Sequence, residues 1–135
     1  MKNLPIIYVA GKFRGPTAYA VRQNIRVAEE YSLRTWRAGM VALCPHMNTA
    51  NFTGELPDEC WLEGDLELIL RCDAIFLLPH WKESNGAFAE YKFALDTDIP
   101  AFDQLGGLIK WRDSHNFDRL DTSKRAPHGQ EEKNA

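Results

Sequence analysis

The sequence predicts an α/β fold with a parallel sheet of about five strands, and three observations support this. Apolar runs that suit strands alternate with amphipathic segments that suit helices. The runs are almost continuously apolar, as in strands that are buried on both faces of a parallel sheet. The chain has 135 residues, the size of one domain with a single core. These features together favour a three-layer sandwich of the flavodoxin or Rossmann type.

The first half of the chain gives two strands and one helix. The run PIIYVA predicts a strand over residues 5–10. A helix is predicted over residues 17–38 and ends at Gly39, a typical residue just beyond a helix C-terminus. The run MVALCP predicts a second strand over residues 40–45. Residues 46–59 are polar and rich in Asn, Thr and Gly, which suggests a long functional loop.

The second half repeats the alternation. A second helix is predicted over residues 60–71 and a third strand over residues 74–79, AIFLLP. A helix that carries Glu90 follows, and IPAF predicts a short fourth strand over residues 99–102. Polar residues dominate from about Asp113 onward. We therefore expect an α/β domain over residues 1–112 and a polar, mobile C-terminal tail over residues 113–135.

Composition narrows the class of protein. The hydrophobic share of 44% and the charged share of 26% are typical of a globular chain. The formal net charge of −3 gives no basic surface by composition, which disfavours a nucleic-acid partner. No apolar run reaches the roughly 20 residues that a membrane span needs. We therefore expect a cytoplasmic protein without a membrane partner.

The cysteines do not predict a metal site. Cys44, Cys60 and Cys72 are an odd number at wide spacing, and no CxxC pair or Cys/His cluster accompanies them. Reduced thiols in the core are the simplest interpretation. Neither a metal nor a cofactor is predicted.

One carboxylate lies in an apolar helix. In SNGAFAEYKFAL, residues 84–95, Glu90 is the only acid. With about 100 degrees of rotation per residue, the apolar side chains form one stripe and Glu90 lies on its shoulder. The predicted buried stripe contains Ala87, Phe88, Tyr91, Ala94 and Leu95. This position suits a working carboxylate better than a solubilising charge.

Two further residues could act with Glu90. Asp65 is the one charge inside the apolar arc of the second helix, where it could work chemically or cap a neighbouring loop. Tyr8 lies in the first strand, where a tyrosine is usually a core residue with a satisfied hydroxyl. Two carboxylates and a tyrosine suit displacement at an anomeric carbon, because one acid attacks or stabilises the sugar while another protonates the leaving group.

The loops after the first three strands are the candidate ligand-binding segments, because ligands of such folds bind at the carboxyl ends of the strands. The loop after the first strand carries two cations and two glycines but is neither a Walker A nor a GxGxxG loop. Ser84 could contact a ligand or simply cap its helix. The candidate binding residues are Gly11, Lys12, Phe13, Arg14, Gly15, His46, Asn48, Asn51, Ser84, Asn85 and Gly86.

Three segments in this order resemble a known family. IYVAGKFRG, the D-L-x(6)-D run from Asp65 to Asp73, and SNGAFAE resemble the nucleoside 2-deoxyribosyltransferase superfamily over residues 5–102. The resemblance implies that Glu90 attacks C1′ of a deoxyribosyl group, that Asp65 supports proton transfer to and from the base, and that Tyr8 orients Glu90. It also implies that no metal or cofactor is needed, and that the protein forms a homodimer or a higher homo-oligomer with shared active sites.

One position favours a branch of that superfamily. The residue six positions before Glu90 is Ser84, where transferases of the family tend to carry an acid. The sequence is therefore more similar to the branch that hydrolyses deoxynucleoside 5′-monophosphates, and Lys12 and Arg14 favour a phosphate as well. We expect base selectivity in residues 46–59. Transfer to a second base or to water stays open. The alternatives are a non-catalytic nucleotide-binding or sensing module and a purely structural domain.

Overall fold

The computed structural model describes residues 3–123 of the chain. Four strands, five α-helices and two short 3-10 turns follow one another in this range. They are β1 (Ile6–Ala10), α1 (Ala18–Arg37), β2 (Val41–Leu43), α2 (Pro45–Thr49), a 3-10 turn (Ala50–Phe52), α3 (Asp58–Leu70), β3 (Ala74–Leu77), a 3-10 turn (Trp81–Glu83), α4 (Asn85–Asp96), β4 (Ala101–Phe102) and α5 (Leu105–Asp113).

The predicted α/β fold is confirmed. The strands pair in the order β2-β1-β3-β4, and all three pairings are parallel. Within residues 3–123 the sheet has four strands, where the sequence predicts about five. Tyr8 in the middle of β1 lies beside Leu43 on one side and Ile75 on the other. The strand order reverses between β1 and β3, and the carboxyl ends of these strands border the crevice where ligands of open α/β sheets bind.

Alternate residues of β1 divide the core into two layers. Ile7 and Val9 pack with residues of α1 and α5 on one face of the sheet. Tyr8 and Ala10 pack with residues of α3 and α4 on the other face. Because α4 packs on the face of the sheet to which Tyr8 points, Glu90 on α4 meets the sheet beside Tyr8.

The predicted bounds of α1 are close to the observed ones. Thr17 caps its N-terminus, and the Thr17 hydroxyl accepts a hydrogen bond of 3.0 Å from the Ala20 amide. The helix is followed by Gly39, whose φ of 91° is a conformation that glycine adopts without strain. A Cβ at Gly39 would also meet the Leu120 carbonyl oxygen at 3.1 Å.

The prediction of one long loop over residues 46–59 was wrong in part. Pro45 opens α2, and a 3-10 turn follows directly. The next helix begins at Asp58, two residues before its predicted start. Helix α5 was not predicted, because Gly106 and Gly107 near its start weaken the helical pattern.

The segment beyond residue 112 is described as far as residue 123. The amide of Asp118 donates to the Asn3 carbonyl oxygen at 2.9 Å, and the Asn3 amide donates to the Asp118 carboxylate at 2.7 Å. The Leu120 amide donates to the Gly39 carbonyl oxygen at 2.8 Å. The predicted boundary at residue 112 therefore falls inside α5, and residues 113–123 contact the body of the domain. The rest of the predicted tail lies outside the described residues.

The three cysteines are free. Cys44 and Cys72 are buried as predicted, whereas Cys60 is exposed on α3, so the prediction that it lies in the core was wrong. Among the described helices, none is both long enough and apolar enough to cross a membrane.

Candidate active site

The centre of the candidate site is a tyrosine–glutamate pair. The Tyr8 hydroxyl of β1 donates a hydrogen bond to Oε2 of Glu90 on α4. Tyr8 is 1% exposed and Glu90 is 7% exposed. The two residues are 82 positions apart in sequence, so the pair exists only because α4 packs on the face of the sheet to which Tyr8 points. The structure thus brings together two of the three predicted catalytic residues by direct contact.

Glu90 lies in the middle of the buried face of α4. The buried residues of this helix are Ala87, Glu90 and Ala94, at a spacing that follows one helix face. Phe88 and Leu95 are 41% and 51% exposed, so their predicted place in the buried stripe was wrong. The prediction placed only apolar side chains in the buried stripe. The Tyr8 hydroxyl, however, gives the Glu90 carboxyl a hydrogen-bond partner on the sheet and thereby lowers the cost of burying it.

The surroundings of the pair shift both pKa values. Burial raises the pKa of Glu90 to about 7, the hydrogen bond from Tyr8 opposes this shift, and the negative charge of Asp65 adds to it. Burial also raises the pKa of Tyr8, and the charges of Glu90 and Asp65 raise it further. Tyr8 is therefore a neutral hydrogen-bond donor, and Glu90 changes between its neutral and charged forms near neutral pH.

Asp65 is the second carboxylate of the site. It is half-buried on α3, close enough for its charge to act on both Tyr8 and Glu90, and burial raises its own pKa to about 6. Within residues 3–123 its carboxylate makes no hydrogen bond or ion pair, which argues against the alternative that Asp65 caps a loop. Two carboxyl groups with raised pKa values can supply one nucleophile and one proton donor close to neutral pH.

The loops after β1 and β3 begin side by side. The Leu78 amide donates to the Ala10 carbonyl oxygen at 2.9 Å. A Cβ at Gly11 would lie 2.9 Å from the Leu78 side chain, so only glycine permits this approach without a shift. Gly11 therefore allows the ends of β1 and β3 to approach each other closely. Its predicted role in a ligand-binding loop stays a prediction.

Asn24 holds the loop after β1 and was missed by the sequence reasoning. Its side-chain amide on α1 donates to the carbonyl oxygens of Phe13 and Arg14 at 2.9 and 3.1 Å. An asparagine inside a helix was the available signal, since this residue favours hydrogen bonds to nearby backbone over helix interiors. Helix α1 thus holds the backbone of residues 13 and 14 in place.

The two cations of this loop differ in their partners. Arg14 forms an ion pair with Asp58, the first residue of α3, and both side chains are exposed. Lys12 is exposed and forms no ion pair within the described part of the chain. The ion pair joins the loop to the start of the helix that carries Asp65.

His46 packs beneath the same loop. It is 8% exposed at the start of α2, and its ring meets that of Phe13 edge-on with centroids 5.1 Å apart. Burial lowers the pKa of His46, although the carbonyls of Gly11 and Lys12 favour its protonated form. Asn48 and Asn51 are exposed. Within residues 3–123 the side chain of neither makes a hydrogen bond, so no such bond joins them to the loop after β1 or to the Tyr8–Glu90 pair.

Ser84 begins α4 as its N-cap. The Ser84 hydroxyl accepts a hydrogen bond of 3.2 Å from the Ala87 amide. Asn85 and Gly86 are exposed on the first turn, and Gly15 is half-buried in the loop after β1. The capping role that the sequence left open is observed, and the serine hydroxyl keeps a proton to donate.

The described residues contain no group of three His, Cys, Asp or Glu side chains that could hold a metal ion. A comparison with curated proteins finds no match to the sequence. A family model with the description "Domain of unknown function (DUF4406)" matches residues 5–103. The chain therefore belongs to the DUF4406 family.

Proposed function

We propose that the protein cleaves the N-glycosidic bond of a 2′-deoxynucleotide, with a preference for the 5′-monophosphate. The observation that carries this proposal is the buried Tyr8–Glu90 pair with the Asp65 charge beside it. The resemblance to the nucleoside 2-deoxyribosyltransferase superfamily gives the same three residues the roles that the chemistry requires. The site would act in the cytoplasm, in a homo-oligomer whose subunits share active sites.

In the first step Glu90 is the nucleophile. A carboxylate oxygen of Glu90 attacks C1′ of the sugar, and the electron pair of the breaking C1′–N bond passes to the base nitrogen. Asp65 gives its proton to the base, which leaves as the neutral molecule. Tyr8 holds the Glu90 carboxylate through its hydrogen bond and so fixes the direction of attack.

In the second step the deoxyribosyl–Glu90 ester is consumed. Water attacks C1′ and gives a proton to the Asp65 carboxylate, while the electrons of the ester C–O bond return to Glu90. A second base in place of water would give transfer instead of hydrolysis. Either course restores a charged Glu90 and a protonated Asp65, so the site is ready for another turnover.

The preference for a 5′-phosphate rests on the loop after β1 and the start of α4. Lys12 and Arg14 bring two positive charges, and the first turn of α4 presents backbone amides below Ser84. An acidic residue at the position of Ser84 would repel a phosphate, whereas the serine does not. These groups follow β1, which carries Tyr8, and begin α4, which carries Glu90. This arrangement suits a 5′-monophosphate, because its phosphate lies one carbon away from the sugar ring.

The test is release of free base from the four deoxynucleoside 5′-monophosphates and from their nucleosides, followed by liquid chromatography. We expect wild-type protein to release base from a monophosphate and Glu90→Gln to release none. Tyr8→Phe should be slower by about 10- to 1000-fold, since it keeps the ring and removes the hydrogen bond that holds the nucleophile. A fold check by circular dichroism accompanies each variant.

A trapped intermediate gives a second, independent readout. Denaturing the enzyme during turnover should leave a deoxyribosyl phosphate adduct on Glu90 that intact-mass spectrometry detects, and Glu90→Gln should carry none. Absence of base release from all eight compounds, with and without an acceptor base, would contradict the proposed function. Binding without turnover would then favour the non-catalytic nucleotide-binding module.

A further inference from the structure

A cavity separate from the carboxylate site opens on the other side of α4. It is an open cleft with a volume of about 560 Å³ between α4, the 3-10 turn at Trp81–Glu83, the end of β4 and the start of α5. This volume lies in the range of small-molecule sites. Tyr8, Asp65 and Glu90 do not line it, so it lies outside the proposed reaction centre.

Aromatic rings form the walls of this cavity. Trp81 and Phe88 are stacked with centroids 6.0 Å apart and an angle of 15° between their planes. Tyr91 packs against Trp81 at 4.6 Å. Phe102 lines the cavity from β4. Phe88 is 41% exposed although it is the first large apolar side chain of its helix, and Lys92 Nζ lies 5.8 Å from the centre of its ring.

Polar side chains lie at the edge where the rings end. Asp103 and Gln104 follow β4 directly and line the cavity, and both are exposed. Within residues 3–123 neither side chain makes a hydrogen bond or ion pair. Together they offer a carboxylate acceptor and an amide that both donates and accepts. Gly107 also lines the cavity, and a Cβ there would make only an ordinary contact with Phe102, at 3.6 Å.

We propose that this cavity binds a planar nitrogen heteroaromatic ring of purine size. Such a ring packs on the exposed ring of Phe88, beside the buried Trp81, and presents alternating donors and acceptors to Asp103 and Gln104. The site lies at the carboxyl ends of β3 and β4, an edge where ligands of parallel sheets bind. It does not depend on the reaction proposed for Glu90.

The experiment is titration calorimetry with adenine as the probe and D-ribose as the non-aromatic control. We expect adenine to bind the wild-type protein and D-ribose not to bind. Phe88→Ala should weaken adenine binding by roughly tenfold or more, since an aromatic stacking surface is lost. Gly107→Leu should block binding by filling the cavity. Leu95→Ala is the matched control, because Leu95 is exposed on the same helix but does not line the cavity.

A parallel titration of Glu90→Gln separates the two sites. The proposal expects adenine binding to survive this substitution whether or not the protein cleaves nucleotides. Three results would overturn it: no heat with wild-type protein at millimolar adenine, binding that Glu90→Gln abolishes and Phe88→Ala preserves, or self-association in sedimentation velocity that Phe88→Ala dissolves. The last result would mean that a second copy of the chain covers these rings.

Discussion

At the scale of single residues, the stability of the protein and the proposed reaction make opposite demands on the carboxyl group of Glu90. In the folded protein its pKa is about 7, against an ordinary value of 4.5. The folded state therefore holds this proton more tightly than the unfolded state does. The stability that follows is fully present below about pH 4.5 and is lost as the pH rises through 7. At alkaline pH the protein keeps a buried charge whose only hydrogen bond within residues 3–123 comes from Tyr8.

Glu90→Gln should therefore stabilise the protein at alkaline pH. The amide keeps an oxygen that accepts from Tyr8 and removes the buried charge, a gain of about 3 kcal/mol at pH 8 for a shift of this size. At pH 4 the variant and the wild type should unfold at nearly equal denaturant concentration. Urea titrations at the two pH values measure this, with Glu29→Gln on the exposed face of α1 as the control. Equal differences at both pH values would contradict the assigned burial of the charge.

The two carboxyl groups also set a pH profile for the proposed reaction. Glu90 must be charged to attack, and its charged fraction rises with pH through about 7, its pKa. Asp65 must be protonated to assist departure, and its protonated fraction falls with pH through about 6, its pKa. We expect kcat/KM for a deoxynucleoside monophosphate to pass through a maximum between these values. Asp65→Asn should lower the rate and remove the alkaline decline. A profile that keeps its alkaline limb in Asp65→Asn would assign that limb to another group.

At the scale of the elements, local patterns predict more than distant contacts do. The bounds of α1 follow from Thr17 and Gly39, because both act within a few residues of the helix ends. The burial of Glu90 did not follow from the helix pattern, since its partner Tyr8 lies 82 residues away. Asp65 and Tyr8 could be singled out only because a charge in an apolar arc and a polar ring in a strand are visible locally.

Asn24 gives a prediction about the loop after β1. Asn24→Ala removes two hydrogen bonds to the carbonyls of Phe13 and Arg14, which should lower the free energy of unfolding by about 1 kcal/mol. It should also raise KM for a monophosphate more than for the nucleoside, because the loop carries the cations. Urea titration and steady-state kinetics measure both effects. Arg22→Ala, an exposed position on the same helix, is the control. Equal changes in KM for both substrates would remove the loop from phosphate binding.

At the scale of the whole molecule, α5 is tied to the end of α1 by a buried arginine. Arg112 is 4% exposed, donates to the Ala38 carbonyl oxygen, and pairs with Asp113 at 2.9 Å. The contact joins segments 74 residues apart in sequence. It closes the layer that covers Ile7 and Val9, so α5 is part of the domain core although the sequence did not predict the helix.

Arg112→Met should lower the free energy of unfolding by about 2 kcal/mol, because a hydrogen bond from a charged donor is lost and the Ala38 carbonyl keeps no equivalent partner. Circular dichroism and tryptophan fluorescence should report the same midpoint if the two core layers unfold together. Lys110→Met, an exposed position on α5, should stay near the wild type. Midpoints that separate in the variant would instead show that α5 detaches before the sheet unfolds.

The reciprocal pair between Asn3 and Asp118 has a practical consequence. It joins a residue just before β1 to the segment after α5, at the edge where the strands begin. Ligands of open α/β sheets bind at the opposite edge, where the strands end. A linker attached near either of these residues would anchor the molecule by the edge where the strands begin. On a sensor surface or a solid support, the openings proposed to bind ligands would then face the solution.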